Sequence, residues 1–166
     1  MKKTVFTLLL AIGSVVYGDT ITNRLINYAE FQKIVNASAA ERESHRLTEA
    51  QFIQAMADKK VVLLDARSTG KYQLRHIRGA TNLQFTDFTA ETLAKIIPDK
   101  GTKILIYCNN NFLGSLVSFA SKAPSASLNV ATYTSLKSYG YTNIYELGPL
   151  LDVRKTDIPF AGTEVK

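Results

Sequence analysis

The sequence has no tryptophan, two histidines, two methionines and one cysteine, Cys108. One thiol cannot close an internal disulfide, so the fold must rest on its core. His45, His76 and Cys108 supply few nitrogen and sulfur ligands, in no zinc spacing, so no metal and no cofactor are expected. Concentrated charge is also missing. The formal balance is +6, with Lys and Arg scattered and not interleaved with aromatics, which argues against a nucleic-acid partner. A mildly basic surface still draws small anions. No internal repeat is present. A length of 166 residues, 46% of them apolar and 20% charged, suits one globular domain.

The N-terminus lacks an apolar run of membrane length. Val5 to Val16 is apolar except for Thr7, Gly13 and Ser14, and falls short of a span of about 20 residues. Lys2 and Lys3 precede it, and Val16 and Gly18 stand three and one positions before a cut ahead of Asp19. This pattern is a secretory signal peptide over 1–18; an uncleaved anchor is the alternative. The protein is therefore expected to be exported, periplasmic or secreted, with no membrane attachment after cleavage. Its loss removes two lysines and no acid, so the charge falls from +6 to +4. In an exported chain a lone thiol is inert and buried, paired with another molecule, or reactive, and oxidising compartments disfavour a free thiol without a purpose.

Residues 19–46 form an N-terminal arm. Leu25, Ile26, Phe31, Ile34 and Val35 line a short helix, and Asn36 to Ser44 reads as a loop. Thr48-Glu49-Ala50-Gln51 is a capping box opening a helix that buries Phe52, Ile53 and Met56. Val61 to Leu64 is a strand buried on both faces, ending in Asp65-Ala66-Arg67 at the edge where α/β sheets build sites. Gly70 to Tyr72 is a turn, and Ala80 to Leu83 is extended. Thr89 to Ile97 is a helix stopped by Pro98. Ile104 to Tyr107 is a second buried strand, delivering Cys108 into Asn109-Asn110-Asn111-Phe112-Leu113-Gly114. Leu113, Leu116, Val117 and Ala120 recur at helical spacing, which places the thiol on a strand-to-helix turn. There, backbone N–H groups and a helix N-terminus stabilise negative charge. Ala123 to Ser127 is a loop, Ala131 to Tyr139 a helix capped by Gly140, and Asn143 to Leu147 a strand. The tail from Asp152 to Lys166 is expected on the surface. Alternating strands and helices predict an α/β fold with an open, mainly parallel sheet and helices on both faces.

Several of these segments resemble the rhodanese family: Leu63-Leu64-Asp65-Ala66-Arg67; Tyr72 with His76-Ile77-Arg78-Gly79-Ala80-Thr81-Asn82; Ile104 to Cys108; and Gly140 to Leu147. The resemblance implies one rhodanese-like domain over 47–151, followed by a tail over 152–166. It also implies a sulfurtransferase in which Cys108 takes sulfane sulfur as a persulfide and hands it to a thiol or cyanide-like acceptor. The loop departs from the family. Asn111 stands where a glycine is usual and can adopt its left-handed conformation. Leu113 occupies a position that often carries a cation, so a charged donor such as thiosulfate has less help, and the arginine that related phosphatases need is missing. Residues 122–130 read as an insertion forming a rim or an interface.

The residues themselves leave alternatives open. Asn109 to Asn111 form either a tolerant turn or an anion cradle. Asp65 and Arg67 read as a buried ion pair or loop brace, and His76 as a turn-bracing histidine rather than a base. Tyr133, Tyr139, Tyr141 and Tyr145 read as packing. A non-catalytic module binding a partner protein or small anion is the second reading, and a redox thiol needing an external partner the third.

Overall fold

The computed structural model describes residues 23–165; the signal peptide expected over 1–18 lies outside them. Helix α1 (Tyr28–Ser44) leads into the edge strand β1 (Arg46–Leu47). Then come α2 (Glu49–Met56), β2 (Val62–Asp65), α3 (Thr69–Leu74), β3 (His76–Ile77), β4 (Thr81–Asn82) and α4 (Ala90–Ile96). Next are β5 (Ile104–Tyr107), β6 (Phe112–Leu113), α5 (Leu128–Ser138), β7 (Ile144–Leu147), β8 (Leu151–Asp152) and β9 (Phe160–Ala161). The main sheet has the order β1-β7-β5-β2-β4 and is parallel throughout. Two short pairs stand apart, β3 antiparallel to β9 and β6 parallel to β8.

Alternation along the strands divides the core. Leu63 and Leu105 pack with Phe52 of α2 on one face. Leu64, Ile104 and Ile106 pack with Leu93 of α4 and Leu136 of α5 on the other. Both faces are covered, which is why β2 and β5 read as unbroken apolar runs. Each buried leucine, isoleucine or phenylalanine contributes roughly 1.5–3 kcal/mol of transfer free energy. Local signals set the helix starts. Thr48 accepts from Gln51 N–H at 3.3 Å and donates its own N–H to Gln51 Oε1 at 2.9 Å; Thr89 and Thr92 repeat the exchange. Gly140, at φ 85°, closes α5.

Four expectations are corrected. Asn36 to Ser44 is not a loop but the second half of α1. Its alanines favour helix, and Arg42–Glu146 (2.8 Å) and Lys137–Glu41 (2.8 Å) fasten it to β7 and α5. Gly70 to Tyr72 lies inside α3. The C-terminal tail is not superficial: β9 pairs with β3, Ile158 and Phe160 are buried, and the Glu49 carboxylate accepts from the Thr156 hydroxyl and the Asp157 N–H. No helix follows Cys108.

The segment after Cys108 is instead a strap. Phe112 turns inward against Phe119 and Phe160, and Phe112–Leu113 pair with β8. Gly114 sits at φ 87°, where an added Cβ would lie 2.8 Å from Asp152 Oδ1. Side chains from elsewhere take the strap's carbonyls. Arg67 donates to Ser118 O (2.8 Å), Lys71 to Val117 O (2.7 Å), Asn109 to Ala120 O (2.7 Å) and Asn110 to Lys122 O (2.8 Å). Leu113, Leu116 and Val117 point to solvent, so their helical spacing reflects no buried face. Among the described residues no helix is long and apolar enough to cross a membrane.

Candidate functional site

The sheet order reverses between β2 and β5, so Asp65 and Cys108 leave adjacent strands at one edge. Cys108 ends the central strand, in extended backbone, and is 1% exposed. Residues 109–111 form one 3-10 turn. The Asn111 N–H donates to Cys108 O at 3.2 Å, and the Cys108 N–H donates to Asn111 Oδ1 at 2.8 Å. Asn111 also donates its amide to Leu147 O (2.7 Å), and Asn129 donates to Asn111 Oδ1 (3.1 Å). Asn111 is thus a buried hub and not a left-handed substitute for glycine; among the described residues only glycines have positive φ.

The group that reaches the sulfur comes from the segment read as an insertion. Ser127 Oγ lies 3.4 Å from Cys108 Sγ, at the N-cap position of the 11-residue α5. The helix N-terminus expected beside the thiol therefore exists, but it belongs to α5. The cause is the strap, which consumes the chain that would have formed a helix after Cys108. Of the expected cradle, Asn111 holds the Cys108 backbone; Asn109 and Asn110 fasten the strap, Phe112 fills the core, and Leu113 and Gly114 turn beside Asp152. Ser127 was legible only as a serine ahead of a helix, an ordinary cap signal.

Asp65 and Arg67 form the expected brace. Their side chains are fully buried and meet at 2.5 Å in a bidentate pair. Arg67 also holds Arg75 O (2.8 Å) and lies 4.4 Å over the Phe119 ring. Burial opposes the guanidinium charge, but the hydrogen bond and charge of Asp65 outweigh it and hold the Arg67 pKa above its ordinary value. The Tyr107 hydroxyl donates to Asp65 Oδ2 (2.5 Å) and accepts from Ile77 N–H (3.1 Å). Burial, then the Asp65 charge, pushes the Tyr107 phenol well above its usual range. His76 stacks on Tyr72 at 3.8 Å and bonds its carbonyl at 2.7 Å, so it braces α3 against β3. Tyr133 and Tyr141 are buried packing residues.

Two cavities flank the thiol. A crevice of about 480 Å³ runs from Arg67 and Lys71 to Asn109 and Lys122, with Phe85 at its side. A groove of about 500 Å³ lies between α1 and α5, with Ser127 in its wall and Phe85 again at its side. Among the described residues no three His, Cys, Asp or Glu side chains converge to hold a metal.

A parallel α/β sheet with a thiol at the carboxyl end of its central strand defines the class of this protein. The family model for the rhodanese-like domain matches residues 48–148, and the chain belongs to that family. Protein BH2092 of Bacillus halodurans shares the fold, with 18% identity, 80% of this chain and 88% of its own covered, and a TM-score of 0.52. A rhodanese with anions from E. coli aligns over 61% of this chain and 98% of its own at 20% identity and a TM-score of 0.40. A thiosulfate sulfurtransferase from Pseudomonas aeruginosa aligns over 72% and 20% at 22% identity and 0.46. No curated protein sequence matches the chain.

Proposed function

We propose that this rhodanese-like chain is an exported sulfurtransferase that carries sulfane sulfur on Cys108. One observation carries the reading: the Cys108 sulfur stands at the sheet's carboxyl edge with the Ser127 hydroxyl 3.4 Å away, at the N-terminus of α5. Such donors stabilise a thiolate and the persulfide made from it. The thiolate attacks the donor's outer sulfur. An S–S bond forms to Cys108, the donor's own bond to that sulfur breaks, and the leaving group keeps the electron pair. A thiol or cyanide-like acceptor then attacks the outer sulfur, and Cys108 departs as thiolate. Export rests on Lys2, Lys3 and the short apolar run after them.

Intact-mass analysis of wild type and Cys108→Ser, after exposure to thiosulfate and to inorganic polysulfide, tests the reading. One added sulfur atom on wild type alone supports it; none on wild type with either donor removes it. The near-complete burial of Cys108 favours a second reading, a module that binds a protein or small anion without turnover. That reading requires no sulfur transfer and specific capture of a partner by both wild type and Cys108→Ser.

A further inference from the structure

Cys108 is enclosed, and two cavities lie beside its loop. The crevice is edged by Lys71 and Lys122 and is lined by Asn109, the residue after the thiol, whose amide is committed to Ala120 O. The groove between α1 and α5 is lined by Phe31, Val35, Phe85, Val130 and Ala131 among others, and no charged side chain lines it. Ser127 belongs both to this groove and to the sulfur's surroundings.

The Ser127 hydroxyl is also freed for that task. At the N-caps of α1, α2 and α4, the side chains of Asn27, Thr48 and Thr89 accept from their own helix. Ser127, like Ser68 ahead of α3, makes no such bond, and the one hydrogen-bond partner of its hydroxyl among the described residues is the Cys108 sulfur. Two residues on, Asn129 is buried against Asn111, and its Oδ1 has no partner there.

We infer, resting on the sulfurtransferase reading, that the groove between α1 and α5 is the donor's route to Cys108 and that Ser127 is a further catalytic residue at its floor. Its hydroxyl donates to the sulfur as thiolate and then as the inner sulfur of the persulfide. The donor class is an uncharged persulfide or polysulfide with an apolar body, because an anion would lose its hydration in a groove without a cation. In the step, the Cys108 thiolate bonds the outer sulfur of R–S–S–H. The donor's S–S bond breaks with its electron pair going to R–S, and the persulfide, the more acidic partner, passes its proton to that sulfur, so R–S–H leaves neutral and Cys108 keeps the persulfide anion.

Alkylation of the folded full chain by N-ethylmaleimide, a neutral reagent, and by iodoacetate, an anion, tests the route, with each rate scaled to that of a free cysteine peptide. N-ethylmaleimide is expected to be favoured. Ala131→Phe, which plugs the groove, slows it. Phe31→Ala, at an exposed position, widens the groove and speeds it. Ser127→Ala slows both reagents by a similar factor, and Ser127→Thr restores them along with the ultraviolet absorbance of the thiolate. Equal rates for the plugged, widened and native proteins, or slowing only when Lys122→Glu alters the crevice, overturn the route. An unaltered thiolate absorbance in Ser127→Ala overturns the role of the hydroxyl. Sulfur loading from an apolar persulfide separates this from the parent reading. Loading that persists in Ala131→Phe sinks the route alone; no loading with any donor sinks the transferase, and with it the donor class.

Discussion

Asn111 and Cys108 hold each other reciprocally: the Cys108 N–H donates to Asn111 Oδ1, and the Asn111 N–H returns to the Cys108 carbonyl. The same side chain ties the turn to β7 through Leu147 O. Asn111→Ala strands a buried N–H and a buried carbonyl, so it should cost about 1–3 kcal/mol per orphaned group. Urea unfolding measures this cost. Faster alkylation of Cys108 should accompany it, since the turn no longer holds the sulfur in place.

The Asp65–Arg67–Tyr107 cluster should govern the strap. Arg67→Met leaves the Asp65 carboxylate buried without its cation, at about 3–5 kcal/mol. Because Arg67 also holds Ser118 O, limited proteolysis of this variant should cut within residues 114–122 at denaturant concentrations that leave wild type whole. An uncut strap in a folded variant would show that Lys71, Asn109, Asn110 and Phe119 hold it without Arg67.

Stability should fall at alkaline pH. Burial, with Asp65 adding to it, raises the Tyr107 pKa, and burial, with Glu41 and Glu146 adding, raises that of Tyr133. A group raised in the fold contributes stability fully present below its unfolded pKa, about 10 for tyrosine, and lost as pH rises toward the folded value. Urea midpoints should therefore drop above that range, and Tyr107→Phe should flatten the drop while lowering the plateau. A midpoint independent of pH there would refute the assignment.

Glu146 links α1 to the sheet. Burial raises its pKa, while Arg42 and then Arg46 pull it back. Arg42→Ala leaves this carboxylate without its closest cation, at about 3 kcal/mol at neutral pH, the low end for a buried pair because Arg42 is partly exposed. The sign follows from linkage: a raised carboxyl favours the fold when protonated, so the penalty should shrink as pH falls toward the carboxylate range. Denaturation at two pH values checks this, and hydrogen exchange over residues 28–44 should quicken in step.

The docked tail should matter to the site. Phe160 meets Phe112 at 5.2 Å and Phe119 at 5.8 Å, beneath both ends of the strap. Phe160→Ala should cost about 3 kcal/mol or more by thermal or urea unfolding, with Cys108 more readily alkylated.

The sequence by itself determined the frame. The capping box at Thr48, the Pro98 stop, the apolar runs ending in Asp65 and Tyr107, and the left-handed Gly140 are local signals, each readable within a few residues. They placed the thiol at the sheet's carboxyl edge and predicted the Asp65–Arg67 brace. Only the tertiary structure decided what surrounds the thiol. A spacing of 113, 116, 117 and 120 suits a helix, but it suits equally a strap whose apolar residues face outward. The side chains that choose between them, Arg67 and Lys71, lie some forty-five residues earlier in the chain. The hydroxyl that meets the sulfur, that of Ser127, comes nineteen residues after it. Periodicity reports which residues share a face, and it carries no information about the distant hydrogen bonds that fix the strap over Cys108 or bring α5 to its side.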